Sequence, residues 1–270
     1  MSTLSVVIPY YNNYWQVVDL VNIFISDWAI SGNGAVFSSL EFIIVDDCSN
    51  ADLPYDKPLR DLITSSQNIT LKELRTPINY GPMGAKRAGL QSSTGDYSLI
   101  FDSDDLPVTS FFGKISLAIK HIELISDVKA SIVFPCRKLQ SKNSAHLNTP
   151  TYIFQVTEAL LLSSLQNHEL MYLVHYSHKD SIYSLNNRTC EGLSVLQMLS
   201  AGALFYFYPH ALRIYTVSGK SVTSTRFVDS RYLRDLIEYH AFCIQRATAL
   251  RLPWVLLRGI FKFLCYNSLL

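Results

Sequence analysis

In "YSLIFDSDDLP" (97–107) an apolar run ending at Phe101 meets three acids within four positions, Asp102, Asp104 and Asp105. The run has the composition of a buried strand, and the acids stand at its end. Carboxylates this close repel one another, and folding alone gives no reason to gather them. In an extended chain, side chains two apart share a face. That sets Asp102 and Asp104 roughly 6–7 Å apart at about 3.3 Å per residue. A hard divalent cation suits such a pair, because Mg2+ or Mn2+ takes few protein carboxylates and completes its shell with phosphate oxygens and water. The competing reading is a solvated turn whose acids cap the helix predicted over 110–126.

Moving outward, "LSVVIPY" (4–10) and "LEFIIVDD" (40–47) read as two more buried strands, and "NITLKELR" (68–75) as a weaker third. Helical spacing places Trp15, Val18, Val21, Ile25 and Trp28 on one side of 14–28, and 81–95 reads as a turn, a short helix and a breaker. Strands too apolar to face water, alternating with helices, predict a mostly parallel sheet covered on both faces. In such sheets the ligand sits beyond the carboxyl ends of the strands. The informative polar residues fall there: Tyr10 to Asn13, Asp46 and Asp47, and Asp102 to Asp105. Beyond 137 comes a polar loop, then a helix predicted over 157–175 and another over 190–202 closed by Gly202. Aromatic strands are expected at 203–208 and 211–217.

Other acid-based chemistries fit less well. Glycosidase carboxylates flank a bond from two sides rather than adjoin on one loop. A haloacid-dehalogenase phosphatase wants its DxD on the first strand, with Thr or Val two positions after the second acid, where this chain has Leu106. The formal net charge of +1 gives no counterion-release drive toward a phosphate backbone, so nucleic acid is not an expected partner. Five scattered cysteines without CxxC spacing argue against a disulfide framework or a zinc site and for a reducing compartment. The opening "MSTLSVVIPYY" lacks a basic region and a long apolar run, and no stretch of about 18–20 apolar residues follows. The expectation is a cytosolic protein.

Four ordered motifs, "SVVIPYYNN" (5–13), "IIVDDCSN" (43–50), "NYGPMGAKRAGL" (79–90) and "TGDYSLIFDSDDLP" (94–107), are similar to those of the family 2 glycosyltransferases over roughly residues 4–110. The resemblance implies an α/β GT-A fold, a Rossmann-like, mostly parallel sheet flanked by helices with further helices at the C-terminus. It also implies a nucleotide-diphospho-sugar donor, Mn2+ or Mg2+, and inversion at the anomeric carbon. By the same resemblance Pro9 and Tyr11 line the nucleotide pocket and Asp47 holds the base or ribose. Gly81 and Lys86 face the diphosphate, Asp104 ligates the metal directly, and Asp102 is its partner or a ribose contact, with Asp105 a third acid.

Such a reaction needs a general base on the far face of the sugar. In the family this is an Asp following a Glu at a helix start. Here "NRTCEGLSVLQML" (187–199) has Gly192 in that place, which leaves Glu191 as base or as a capping carboxylate. The family's last metal ligand, a His, falls on Ser218. Two alternatives stay open. A sugar-1-phosphate nucleotidyltransferase would want a Gly-rich basic loop where this chain has "PYYNN"; a donor-binding module would have lost its base at Gly192.

The expected organisation is a GT-A unit over 1–225, with a donor half (1–110) and an acceptor half (111–225), and a helical tail over 226–270. In "RLPWVLLRGIFKFLCYNSLL" (251–270), Arg251, Arg258 and Lys262 share one helical face and Leu256, Ile260, Phe263 and Leu264 the opposite one. That pattern suits an anionic membrane surface, the alternative being a helix packed onto the domain. The family resemblance extends the membrane reading to a glycan or lipid-linked acceptor, as in bacterial surface-polysaccharide assembly.

Overall fold

The computed structural model of the chain describes residues 2–31, 36–50, 57–64, 68–138, 150–163, 165, 169–181, 191–215 and 230–267. The four strands expected in the first half form as β1 (Ser2–Tyr10), β2 (Phe37–Asp46), β3 (Ile69–Arg75) and β4 (Tyr97–Ile100), all parallel in the order β3-β2-β1-β4. Their apolar runs are continuous because both faces are covered. Leu4, Val6 and Ile8 join Leu40, Phe42 and Ile44 on one side, while Val7, Ile43 and Val45 point to the other. The first side is closed by α1 (Tyr14–Ser31), α2 (Lys57–Thr64) and α4 (Phe111–Ile125). In α1 the residues Val17, Leu20, Val21, Phe24 and Trp28 recur at helical spacing and are all buried. The second side is closed by α3 (Pro82–Ser92), whose Met83, Ala85 and Leu90 pack against β1 and β2.

Pro9 sits in a central strand without breaking a ladder. Val7 turns its carbonyl to β4, where the Phe101 N–H meets it at 2.9 Å. Two residues on, Pro9 faces the same side but lies past the end of β4 (Val7 pairs with Ile100), so no N–H is needed there.

The second half departs from the sequence reading. Of the helix predicted over 157–175, the described residues form an α-helix at Glu158–Ser163 (α5), whereas Leu170–His175 is β8, a wholly buried strand antiparallel to both neighbours. A fully buried run carries no alternation, and its period cannot tell strand from helix. The sheet continues through β6 (Ser131–Lys138) to β10 (Arg213–Tyr215) and the two-residue β5 (Leu106–Pro107), with β9 (Phe205–Phe207) and β7 (Phe154–Val156) alongside. The helix expected over 190–202 is α6 (Glu191–Ser200), closed by Gly202 at φ 90° with Ala203 N–H on the Met198 carbonyl.

The tail forms a helical hairpin, α7 (Ser230–Ala249) and α8 (Pro253–Asn267). Cys243, Ala247 and Val255 enter the same core as Leu161, Leu162 and Leu196. Arg246 grips Glu158 at 2.6 and 2.8 Å, and Glu158 also accepts the Ser200 hydroxyl at 2.9 Å. The hairpin is therefore bolted to α5 and α6. The polar face of α8 differs from expectation: Arg258 turns inward to the Leu162 carbonyl at 2.6 Å, and Leu256 is packed against the core. The outward stripe is instead Trp254, Leu257, Phe261 and Leu264, with Trp254 82% exposed. Among the described residues no helix is long and apolar enough to cross a membrane.

Candidate active site

Three loops meet at the carboxyl ends of β1, β2 and β4, and side chains sew them together. After β1, Asn12 takes a left-handed φ of 59° and donates its N–H to Ser49 Oγ at 2.8 Å, while its side-chain oxygen accepts the Asn50 N–H at 2.9 Å. Asn13 donates through Nδ2 to Ser103 Oγ, inside the acidic turn, at 2.7 Å. Tyr11 is left 49% exposed above this seam, positioned as a ring that a flat ligand can meet.

Asp46 and Asp47 are both buried. Asp46 accepts the Ser49 N–H and pairs with Arg75 at 2.8 Å. Asp47 accepts Thr76 Oγ1 at 3.0 Å and the N–H groups of Tyr80 and Gly81 at 2.9 and 2.7 Å. It thereby fixes the loop that delivers Gly81, at φ 80°, to the start of α3. Pro82 follows at the first helical position, where its missing N–H costs nothing.

One turn into α3, Lys86 is 5% exposed and places Nζ 2.7 Å from Asp102 Oδ1. The other oxygen of Asp102 is held by Arg213 Nη1, from β10, at 2.8 Å. Arg213 also reaches Asp105 Oδ2 at 3.3 Å and Cys136 Sγ at 3.2 Å through Nε. Burial opposes the charged form of Asp102, but Lys86 and Arg213 outweigh it and hold the carboxyl below the usual range. Asp105 is pushed up to about 7, by burial first, with Arg213 pulling the other way and the neighbouring acids adding to the rise. Asp104 points outward and has no ion-pair partner among the described residues. Desolvation at the mouth of the cluster, then the charge of Asp102, push its carboxyl up.

The donor set bears on the implied metal. Among the described residues no three His, Cys, Asp or Glu side chains converge to form a cage. One outward carboxylate, Asp104, beside a second that is charge-balanced, fits Mn2+ or Mg2+ drawing its remaining oxygens from a diphosphate and water. Burial pushes the Cys136 thiol up to about 12, with Arg213 pulling the other way.

On the acceptor side, four residues separate Ser200 from Phe205, so α6 ends at the amino end of β9. β9 runs parallel to β6 and, through β8, in the sense of β4. Glu191 and Gly192 start α6 at the end away from Ser200 and the amino end of β9. The side chain of Glu191 lies outside the described residues, as does Ser218. Gly192 faces Tyr239 of α7, whose hydroxyl would stand 3.8 Å from a Cβ there. His175 and His178 belong elsewhere: His175 pairs with Tyr97, the first residue of β4, at the opposite end of the sheet. Asn12, Asn13 and Ser103 lie in the polar stretches expected beyond β1 and β4 but carry no assigned role in the sequence reading, and Arg213 is absent from it. A lone Arg in the aromatic strand "YPHALRIY" was the one available signal for Arg213.

The sheet order, the crossed-over acceptor strands and the acids at the strand ends define a GT-A fold. The model of glycosyl transferase family 2 matches residues 5–178, and the chain belongs to that family. Two Haemophilus influenzae proteins, each described as an uncharacterized glycosyltransferase, are 29% identical over 110 and 102 residues. These stretches are 39% and 38% of this chain and 37% and 29% of those proteins, so the match spans about a third of the relatives' length. Solved structures share the fold at low identity. TarS of S. aureus superposes with a TM-score of 0.62 at 16% identity, over 90% of this chain and 40% of that one. A shorter TarS, residues 1–349, in complex with UDP-GlcNAc gives 0.62 at 17%, over 88% and 66%. The mannosyltransferase PcManGT of Pyrobaculum calidifontis, in complex with GDP-Man and Mn2+, gives 0.59 at 15%, over 98% and 75%.

Proposed function

We propose that the chain is an inverting, metal-dependent glycosyltransferase that moves a hexose-type sugar from a nucleotide-diphospho-sugar to a glycan or lipid-linked hydroxyl. The observation that carries the reading is Asp104, outward and without an ion-pair partner among the described residues, beside the Lys86–Asp102 pair at the carboxyl end of β4. Solved relatives of the same fold in complex with UDP-GlcNAc, or with GDP-Man and Mn2+, support a nucleotide sugar as donor. In this reading Tyr11 covers the nucleotide, Asp47 keeps the Gly81 loop in place beneath it, and Lys86 meets the diphosphate. Asp104 and Asp102 form the metal side. Mn2+ or Mg2+, when bound, supplies Lewis-acid stabilisation of the charge growing on the leaving diphosphate. The acceptor oxygen forms a bond to the anomeric carbon as the bond from that carbon to the phosphate oxygen breaks. Glu191, at the start of α6, takes the hydroxyl proton, and the nucleoside diphosphate departs.

The exposed stripe Trp254, Leu257, Phe261 and Leu264 on α8, a helix with two basic residues and no acid, suits contact with an anionic membrane. The stripe supports, as part of the proposal, a place on the cytoplasmic face of a bacterial membrane in surface-polysaccharide synthesis. Titration calorimetry with UDP, dTDP and GDP, each with and without Mn2+, tests the donor site. One of them is expected to bind only with Mn2+, and Asp104→Ala to lose that binding with an unchanged melting temperature. If none binds, the donor-site reading falls, and the donor-binding alternative with it.

A further inference from the structure

Arg213 is a buried cation that the proposed reaction does not itself require. Its side chain is 6% exposed, and it comes from the acceptor half, 111 residues from the aspartate it holds. β10, which carries it, lies between β6, with Arg213 opposite Cys136, and β5, with Arg213 opposite Pro107. β5 is the direct continuation of the acidic turn, in which the Asp105 N–H closes on the Asp102 carbonyl at 3.1 Å. Backbone pairing and side chain therefore act on the same short loop.

The guanidinium spans both ends of that turn, Asp102 at 2.8 Å and Asp105 at 3.3 Å, and leaves out the residue between them that faces outward. With Lys86 on the other oxygen of Asp102, two cations meet two of the three acids. A planar fork suits this task better than an ammonium, because separate N–H groups can address two carboxylates at fixed angles.

We infer that Arg213 is the positioning residue of the donor site: by clamping Asp102 and Asp105 it presents Asp104 as the single outward carboxylate, and so makes metal-nucleotide binding depend on the docking of the acceptor-half strand β10. The inference rests on the donor-site reading above. It assigns to Arg213 no contact with the sugar or the nucleotide.

The test is calorimetric binding of UDP, dTDP and GDP with Mn2+ to the full chain and to Arg213→Met, Arg213→Lys, Asp102→Asn and the double variant Arg213→Met/Asp102→Asn. For the nucleotide that the parent chain binds, Arg213→Met is expected to weaken Mn2+-dependent affinity at least tenfold. Arg213→Lys should recover part of it, since one ammonium can hold Asp102 but not both acids. In the Asp102→Asn background the Arg213→Met change should cost clearly less than in the parent, because one of the two charges it clamps is gone while Asp105 remains. Thermal melts accompany each variant, and refolded or soluble Arg213→Lys keeps the question answerable if Arg213→Met fails to fold. Equal affinity of Arg213→Met and parent overturns the inference, as does an equal loss with and without Asp102. Failure of the parent chain to bind any of the three overturns the donor-site reading instead.

Discussion

Gly89→Ala tests how closely helix α3 must approach the sheet for Lys86 to reach Asp102. A Cβ at position 89 would stand 2.2 Å from Val7 Cγ1 and 3.0 Å from Val45 Cγ2. Carbon contacts settle near 3.5–4.0 Å, so the helix must withdraw by about 1 Å or the valines must leave their rotamers. Both valines are β-branched and lie in central strands, so they have little freedom to move. Overpacking of this kind costs about 1–3 kcal/mol, with the upper end expected here. The alanine returns about 1 kcal/mol of helix propensity, which leaves a net loss of about 2 kcal/mol. Urea denaturation measures it. Gly113→Ala is the matched control, because its nearest atoms are 3.8–4.0 Å away. It should be neutral or stabilising by up to about 1 kcal/mol. Lys86 lies three residues from Gly89 on the same face, so withdrawal also lengthens its 2.7 Å pair with Asp102. Nucleotide affinity should therefore fall along with stability. A Gly89→Ala protein that unfolds at or above the parent midpoint would refute the close-packing argument and the coupling drawn from it.

Acid should loosen the C-terminal hairpin through His240. This residue is 4% exposed and stacks on Tyr266 at 5.5 Å; burial first, then Lys262 and Arg258, depress its pKa to about 4. The unfolded chain titrates near 6.5 and so binds the proton first, and stability falls as pH drops from about 6.5 to 4, by about 2–3 kcal/mol at most. His240→Gln should flatten that part of the pH–stability curve, and an unaltered slope would show that other groups produce it. For the membrane contact, Trp254→Glu with Phe261→Glu should abolish co-sedimentation with phosphatidylglycerol vesicles while leaving the melting temperature within about 2 °C, since both side chains are exposed. No sedimentation of the parent chain with those vesicles would dispose of the membrane assignment.

The donor half was legible because its information is local. Each strand of β1, β2 and β4 is an apolar run, each ends in polar residues, and parallel topology brings those ends together without further instruction. The acceptor half is built from pairings that no local pattern announces. β9 and β10 form inside the aromatic runs 203–208 and 211–217 that read as strands, but their partners could not be read, and the two-residue β5 gains its strand character only from β10. β8 is buried on both faces between β4 and β6, so "LMYLVH" shows neither alternation nor a helical stripe. On α8 the apolar residues nearly encircle the helix, and the outward stripe is decided by Gly259, which lets α8 close on Ile244 at 3.1 Å from a notional Cβ. Helical geometry alone cannot choose that rotation.

The sequence counts five acids at the strand ends, but the structure sorts them by what holds each one. Asp46 is paired with Arg75, Asp47 accepts loop N–H groups, Asp102 lies between Lys86 and Arg213, and Asp105 shares Arg213. Buried carboxylates persist only where such partners offset their desolvation, so four of the five are accounted for within the fold itself. Asp104 alone is left pointing at solvent. At a pH above the titration of Asp105 near 7, the three acids of the turn exceed their two cations by one negative charge, which by itself repels a diphosphate. On the proposed reading, a divalent ion carried by the nucleotide would reverse the sign of that interaction, and Mn2+ should raise nucleotide affinity rather than leave it unchanged. The same pairing with Lys86 and Arg213 explains why the clustered acids of "FDSDD" do not unfold the turn.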